Sequence, residues 1–358
     1  MVIDLILKSL EIISKNQNPL GAYIACPDFD TYKYCWLRDG SFTAYAMDLY
    51  GQYESSQKFF HWVNKVILSQ REKVIKIVEV VQGGEELINF DYMPARYNMD
   101  GQEEKDEWGN FQLDGYGTWL WALSQHISIT GKNELLSKYR ESISLTIDYL
   151  INLWGVPNFD CWEENGDKIH PATLACIYGG LNSISKYIED PRINKTVEDI
   201  KEFVLKNCVL NGRLVKYVGS ESIDSSLIWA SVPFGMFNPD DSIMKNTIYE
   251  IEKRLVHNYG VHRYPEDTYY GGGEWLLLTG YLGWYYVETG QMEKAKECIM
   301  WIEKQADDKG EFVEQVLGHV NNGEYILKWI NLWGEPAKPL LWSHAMYLVL
   351  KNKIIRDI

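Results

Sequence analysis

Two glutamates adjoin a tryptophan and a turn signal in the run Phe159-Asp160-Cys161-Trp162-Glu163-Glu164-Asn165-Gly166. Neighbouring side chains of an extended segment point opposite ways, so Glu163 and Glu164 must occupy different environments. One of them, desolvated against Trp162, would keep its proton and act as an acid. A solvated acidic loop is the plainer reading of the same residues. A third carboxylate, Glu314, lies among apolar neighbours in Glu311-Phe312-Val313-Glu314-Gln315. There it is either a salt-bridged structural group or a base aimed at water. An Arg-Asp pair closes the aromatic run Tyr32-Lys33-Tyr34-Cys35-Trp36-Leu37-Arg38-Asp39-Gly40. At a helix start this pair can hydrogen-bond sugar hydroxyls; alternatively Asp39 caps the helix and Arg38 is a surface cation. In the run from His262 to Trp275, HRYPEDTYYGGGEW, three glycines let the backbone come close to a ligand. A plain Pro/Gly turn explains those glycines but not the Arg, Tyr and acidic residues ahead of them.

These groups need a scaffold, and the periodicity supplies helices. From Val2 to Ser14 the apolar residues Ile3, Ile6, Leu10 and Ile13 share one face. Comparable segments follow at 38–50, 52–69, 113–131, 133–153, 170–188, 190–207, 223–235, 240–257, 273–289, 291–306 and 339–353, about twelve in all. Segments 113–131 and 273–289 are apolar or small on nearly every face, whereas 133–153 and 291–306 are charged along one side. The first kind should be buried and the second exposed. Such alternation implies two concentric rings, hence an all-α fold of the (α/α)6 barrel type occupying residues 1–358 as one domain. Long aromatic and polar connections lie at 20–37, 87–112, 155–169, 258–272 and 307–338, and long connections usually carry function. Four of them precede an inner-ring helix and should gather at one mouth of the barrel. Asn211-Gly212 ahead of Arg213–Val218 suggests a small hairpin.

Composition narrows the chemistry. A formal net charge of −15 argues against a nucleic-acid groove or an anionic membrane surface, which rely on clustered Lys and Arg. The aromatic share of 14%, with 14 Trp and 24 Tyr, exceeds what a helical core needs and points to a sugar-stacking cleft. Cys26, Cys35, Cys161, Cys176, Cys208 and Cys298 form no C-x-x-C pair or zinc spacing, so neither metal nor cofactor is expected. They read as buried thiols in a reducing compartment. The amino terminus lacks a basic n-region, and Asp4, Lys8 and Glu11 interrupt its apolar run. No stretch reaches the roughly 18 apolar residues that span a bilayer. The expectation is a soluble, cytoplasmic protein acting on a neutral ligand.

Taken together, the stretches YKYCWLRD, WGNFQLDG, CWEENG, RYPEDTYYGGGEW, FVEQ and LLWSHA resemble glycoside hydrolase family 15, the glucoamylases, in the same order and from residue 32 to residue 345. RYPEDTYY with its Gly-rich turn and Trp is very specific, whereas WEE is weak by itself. The resemblance implies an inverting, exo-acting α-glucosidase that releases β-glucose from an oligosaccharide, with Glu163 as general acid and Glu314 as general base. It makes Glu164 a ligand of the neighbouring subsite and gives Arg38 and Asp39 the hydroxyls of the terminal glucose. Arg263 would bind the sugars on both sides of the scissile bond. Trp108, Trp162 and Trp342 would shape the pocket, and Tyr34 and Trp36 would also contact substrate. An inverting hydrolase needs its carboxyls roughly 6.5–9.5 Å apart, which separate barrel loops can span. An ionised Asp39 beside Glu314 would stabilise a developing oxocarbenium ion.

The chain also departs from the family pattern. The expectation is a barrel without a β-sandwich or starch-binding domain, and hence no binding to raw starch granules. Cys161 stands where fungal members carry a larger apolar residue, and the connection between Glu314 and Trp342 is longer than theirs, which leaves the preferred linkage open. Trehalose and α-1,6-linked isomalto-oligosaccharides are alternative substrates for the same residues. A non-hydrolytic sugar-binding barrel is the reading from a different class.

Overall fold

The computed structural model of the chain describes residues 3–88, 90–104 and 107–356. In chain order its helices are α1 (Leu5–Lys15), α2 (Leu37–Leu49), α3 (Tyr53–Ser69), α4 (Arg71–Gln82), α5 (Asp114–Thr130), α6 (Glu134–Lys138) and α7 (Arg140–Leu153). They continue with α8 (Pro171–Ile184), α9 (Pro191–Asn207), α10 (Ser242–Leu255), α11 (Leu276–Glu288), α12 (Met292–Glu303), α13 (Ile326–Trp333) and α14 (Leu341–Arg356). Local chemistry sets several of the ends. The Asp4 side chain accepts from the amides of Ile6 and Leu7 and starts α1, whose expected first residue, Val2, lies outside the described residues. Asp190 caps α9 in the same way, and Pro171 and Pro191 occupy first-turn positions where a missing N–H costs nothing.

Inner elements pack in a closed cycle. Helix α2 touches α5, α5 touches α8, and α8 touches a 3-10 turn at Ser225–Ala230; that turn meets α11, α11 meets α14, and α14 returns to α2. Outside this cycle α1 lies on α14, α3 on α2, α7 on α3 and α5, α9 on α8, α10 on the 3-10 turn and α12 on α11. The architecture is the expected (α/α)6 barrel. Helices α5 and α11 bury nearly every residue, whereas α7 and α12 bury one face, as their patterns require. No helix among the described residues is long and apolar enough to cross a membrane.

The structure corrects the expected elements in five places. Segment 223–235 is no full helix: Asp224 caps the short 3-10 turn through the amide of Ser226, and the chain then turns away. Pro233 lacks the N–H a continuing helix needs, and Gly235 adopts a positive φ of 65°. Segment 133–153 breaks at the buried Tyr139 into α6 and α7. Two further helices, α4 and α13, lie outside the twelve segments expected from periodicity. The hairpin is present but shorter, with Val209–Leu210 (β1) paired to Arg213–Leu214 (β2) across Asn211 and Gly212, both at positive φ.

All five long connections precede an inner element, and the segment 208–224 adds a sixth ahead of the 3-10 turn. Short antiparallel pairs tie them together: Cys35–Trp36 (β3) to Arg96–Tyr97 (β4), Val256–His257 (β5) to Gly260–Val261 (β6), and Glu274–Trp275 (β7) to Gln315–Val316 (β8). At the tightest inner contact, a Cβ built on Gly117 of α5 would lie 2.3 Å from the carbonyl oxygen of Cys176 on α8. One built on Gly180 would lie 2.2 Å from that of Gly117. Backbone meets backbone here, so neither side can yield locally. Gly117→Ala should therefore destabilise the chain by about 1–3 kcal/mol, the usual cost of overpacking. Thermal or urea unfolding of the variant reads this directly, and a wild-type midpoint would contradict the packing described.

Candidate active site

The mouth of the barrel holds a cavity of about 320 Å³ lined by residues from five of the six connections. Glu163 and Glu314, distant in the chain, both line it. Glu163 sits in a tight turn rather than an extended segment. The Asp160 carboxylate accepts from the amides of Trp162 and Glu164, each at 2.9 Å, and the Asp160 carbonyl accepts from the amide of Glu163 at 3.0 Å. The turn forces Glu163 to φ 64° and Asn165 to φ 52°, a region non-glycine residues enter at a cost. That backbone sends the two neighbouring glutamates apart. Glu163 Oε1 accepts from Trp36 Nε1 at 2.8 Å and lies 3.9 Å from Arg38. Glu164 accepts from the Tyr264 hydroxyl at 2.5 Å and lies 3.5 Å from Arg263 and 3.8 Å from Lys216. Different environments were expected; the left-handed turn is what produces them.

Glu314 is 2% exposed, and the pairing of β8 with β7 holds the segment that carries it. Its amide donates to Ala337 O at 2.9 Å, and the Tyr32 hydroxyl that lines the same cavity is held by the Tyr269 hydroxyl at 3.1 Å. Arg38 is neither a surface cation nor free. It is 4% exposed, donates to Asp114 Oδ2 at 2.8 Å and Gln112 Oε1 at 3.0 Å, and lies over the Trp342 ring at 5.1 Å. Asp39 caps nothing: α2 begins after Trp36 with no side-chain cap, and Asp39 faces Arg38 Nε at 3.3 Å. Arg263 makes a two-point pair with Asp267 at 2.7 and 2.5 Å inside a cage of Trp162, Tyr264, Tyr269 and Trp275.

Of the residues predicted from sequence, Trp36, Arg38, Asp39, Trp108, Trp162, Glu163, Glu164, Arg263, Glu314 and Trp342 all line the cavity. Tyr34 does not. Its ring packs on Arg96, 4.2 Å from the guanidinium carbon, and edge-on to Trp36, so it backs the wall rather than forming it. Sequence reasoning missed Tyr32, Tyr269, Trp275, Trp329 and Trp333 among the lining residues. The last two stand four residues apart in α13, and the apolar spacing of ILKWINLW was the signal that could have found them. Asp160, Asp267 and Lys216 were missed as supports, although Asp267 lies four residues after Arg263 in the same HRYPEDTYYGGGEW motif.

Three polar atoms of the lining have neither a hydrogen-bond nor an ion-pair partner among the described residues, Trp108 Nε1, Trp275 Nε1 and Glu314 Oε2, while Arg38 Nε and Asp39 Oδ2 face each other as an ion pair at 3.3 Å. Leaving such groups buried and unpaired costs about 1–3 kcal/mol each, so their clustering marks a surface made for a ligand rich in donors and acceptors. The family model for glycosyl hydrolases family 15 matches residues 4–352.

The chain belongs to glycosyl hydrolases family 15.

Its similarity to the isomaltose glucohydrolase of Kribbella flavida is 38% identity over 98% of this chain and 92% of that protein. Trehalase 1 of Sulfolobus acidocaldarius is 23% identical over 75% of this chain and 48% of its own length. A solved glycosidase superposes with a TM-score of 0.94 at 38% identity, covering 98% of this chain and 96% of that one. A bacterial glucoamylase complexed with acarbose superposes with a TM-score of 0.75 at 19% identity, over 98% of this chain and 55% of that one, a likeness of fold.

In this glycoside hydrolase, burial raises the pKa of carboxyls that face the cavity. Desolvation lifts Glu314 to about 7, with the charge of Glu163 adding to the rise and Tyr32, Arg263 and Gln315 opposing it. Desolvation likewise raises Glu163 against the pull of Arg38 and Trp36, and lifts Asp39 to about 7 against Arg38. Both glutamates are therefore shifted above the ordinary carboxylate range, chiefly by desolvation. Were Glu314 to act as a base, it would fail when protonated, and kcat/KM would fall as pH drops through about 7 rather than through the ordinary value near 4.5. Removing the Glu163 charge removes a raising cause, so in Glu163→Gln this acidic limb should move to lower pH. Measuring both profiles with α-glucosyl fluoride, whose leaving group needs no proton, checks the sign; an unmoved or raised limb contradicts the coupling.

Proposed function

We propose that the chain is an inverting exo-acting α-glucosidase for short α-1,6-linked gluco-oligosaccharides, isomaltose being the simplest. Glu163 is the general acid and Glu314 the general base. The observation that carries the reading is the set of buried, unpaired polar atoms on a cavity that also holds both glutamates. A polyhydroxylated ring satisfies such atoms; an apolar ligand does not. Support for a short substrate comes from size, since about 320 Å³ is at the small end of the roughly 300–1,000 Å³ usual for small-molecule pockets. Support for the linkage comes from the 38% identity to an isomaltose glucohydrolase, which moves α-1,6 ahead of the α-1,4 glucans first expected. Trehalose remains the second reading, carried by the likeness to a trehalase.

In this mechanism the Glu163 proton passes to the glycosidic oxygen as the bond to the anomeric carbon breaks. A water on the opposite face gives its proton to Glu314 and attacks that carbon, so the product is β-glucose. Arg38 and Asp39 hold hydroxyls of the terminal ring, and the negative charge of Asp39 and Glu314 favours the oxocarbenium-like transition state. Trp108, Trp162 and Trp342 wall the ring in, and Arg263 and Glu164 reach the second sugar.

Proton NMR of fresh product should show β-glucose first; α-glucose first rejects inversion. Isomaltose should be turned over with a kcat/KM at least about tenfold above those for maltose and trehalose, a margin within reach of pocket contacts. Glu163→Gln and Glu314→Gln should each lower turnover of isomaltose by about 10²–10⁴-fold with KM little changed. The fluoride substrate should recover most of the lost rate in Glu163→Gln and none in Glu314→Gln. Recovery in both variants, or in neither, reverses or removes the assigned roles.

A further inference from the structure

Behind the cavity wall a second group of side chains converges that the hydrolytic reaction does not use. One ring nitrogen of His257, one of His319 and a carboxylate oxygen of Glu274 lie within 4.8 Å of one another. We propose that these three residues bind one divalent transition-metal ion of the zinc class. The site is independent of the catalytic reading. The sequence offered no metal signal, because His257, Glu274 and His319 have no short-range spacing and only the fold brings them together.

The distances suit such an ion. At metal–ligand lengths of about 2.0–2.1 Å, tetrahedral ligand atoms stand about 3.3–3.4 Å apart. His257 Nδ1 and Glu274 Oε1 are 3.3 Å apart. The imidazoles of His257 and His319 stack with centroids 3.8 Å apart and planes 14° apart, so the two exposed rings must fan apart about their side-chain torsions for both in-plane lone pairs to meet at one ion. Two imidazoles and one carboxylate match ions that favour nitrogen with oxygen, unlike calcium or magnesium.

The surroundings are built as metal-site surroundings are. Glu274 is buried with His257 as its sole ion-pair partner among the described residues. Its carboxylate lies flat on Gly260, where a Cβ would stand 2.5 Å from Oε1, so the hairpin of β5 and β6 is shaped around it. His319 is oriented from behind. Gly272 O can only accept, so His262 Nδ1 at 2.8 Å carries a hydrogen, and in the neutral ring His262 Nε2 then accepts from His319 Nδ1 at 3.0 Å. This relay leaves Nε2 as the lone-pair nitrogen of His319, the arrangement in which a ligating histidine is fixed by its other nitrogen. Asn258 Nδ2, 3.3 Å from His257 Nε2, likewise directs the His257 Nδ1 hydrogen toward Glu274. An ion on Nδ1 calls for the other neutral tautomer: the ring hydrogen passes to Nε2 and the Asn258 amide turns to present its oxygen to it, so His257 ligates as a neutral imidazole.

Such an ion ties the β5–β6 hairpin and β7 to the segment after β8. Trp275 and Arg263, adjacent in sequence to Glu274 and His262, line the cavity, so the ion is a brace for that wall. The test uses the untagged full chain, stripped with a chelator and titrated with Zn²⁺ and Co²⁺. Calorimetry should give one ion per chain, Co²⁺ should develop visible absorption of a nitrogen- and oxygen-ligated site, and Tm should rise with Zn²⁺ but not with Mg²⁺. His257→Ala and His319→Ala change exposed rings and leave the fold intact, and each should weaken Zn²⁺ at least about tenfold. His61→Ala on α3 should not. Absence of one-to-one binding in the wild type, or unchanged affinity in His319→Ala, overturns the proposal.

Discussion

Two carboxyl groups taken from water into one cavity cannot both carry full charge cheaply, because each disfavours ionisation of the other and neither is well solvated. The rest of the site follows from that constraint. Arg38 compensates Glu163 and Asp39, and Arg263 compensates Glu164 and opposes the rise at Glu314. Both guanidiniums are themselves buried and need fixed partners, which Asp114 and Asp267 supply. Further back, Lys216 lies between Glu164 and Asp224 and over the Tyr264 ring at 2.9 Å. The charges therefore alternate in sign away from the cavity. Removing one partner strands another buried ion, so the supports are as constrained as the residues that line the cavity.

The barrel adds a field of its own. Helices α2, α5, α8, α11 and α14 all begin where long connections end, so their amino termini face the mouth. Helix starts carry partial positive charge and unpaired N–H groups, which favour anions. Arg38 and Asp39 fall in the first turn of α2, Asp114 opens α5, Trp275 precedes α11 and Trp342 lies in the first turn of α14. Five dipoles thus converge where the carboxylates collect. This makes the all-helical ring more than a frame: it offsets part of the cost of holding acidic groups out of water.

Legibility from sequence followed the range of the interactions. Helices α5 and α11 could be read because a helix buried on all sides must be apolar on all sides, a local signature. Glu163 and Glu314 were readable as candidates because acids among aromatic and apolar neighbours are unusual. Segment 223–235 misled because its apolar residues serve a 3-10 turn that Pro233 stops from lengthening. Helix α13 was passed over since it lies inside a connection, where periodicity over eight residues is short evidence. Lys216 lies in a run read only as hairpin, and nothing local says that its ammonium reaches Glu164. Tyr34 failed for the opposite reason: its motif neighbours line the cavity, but Arg96, sixty residues on, draws its ring behind the wall.

The same distinction locates where the substrate would be told apart from its competitors. The face bearing Arg38, Asp39 and Trp342 is made by inner-helix starts and their ion pairs, which packing holds rigid. The opposite face includes Trp329 and Trp333 of α13, an amphipathic helix in which no residue is fully buried. Few bonds hold it. Tyr270, itself buried at φ 50°, donates from its hydroxyl to Gly334 O at 2.7 Å, and Tyr269 packs edge-on to Trp329 at 5.0 Å. Asn321 and Asn322 anchor the approach to α13 through their amides to Gly272 O and Gly271 O. Those glycine carbonyls belong to the segment that also orients His262, so the wall and the histidine cluster share one support. A pocket with one rigid face and one tethered face can keep its reaction constant while the tethered face changes which second sugar fits.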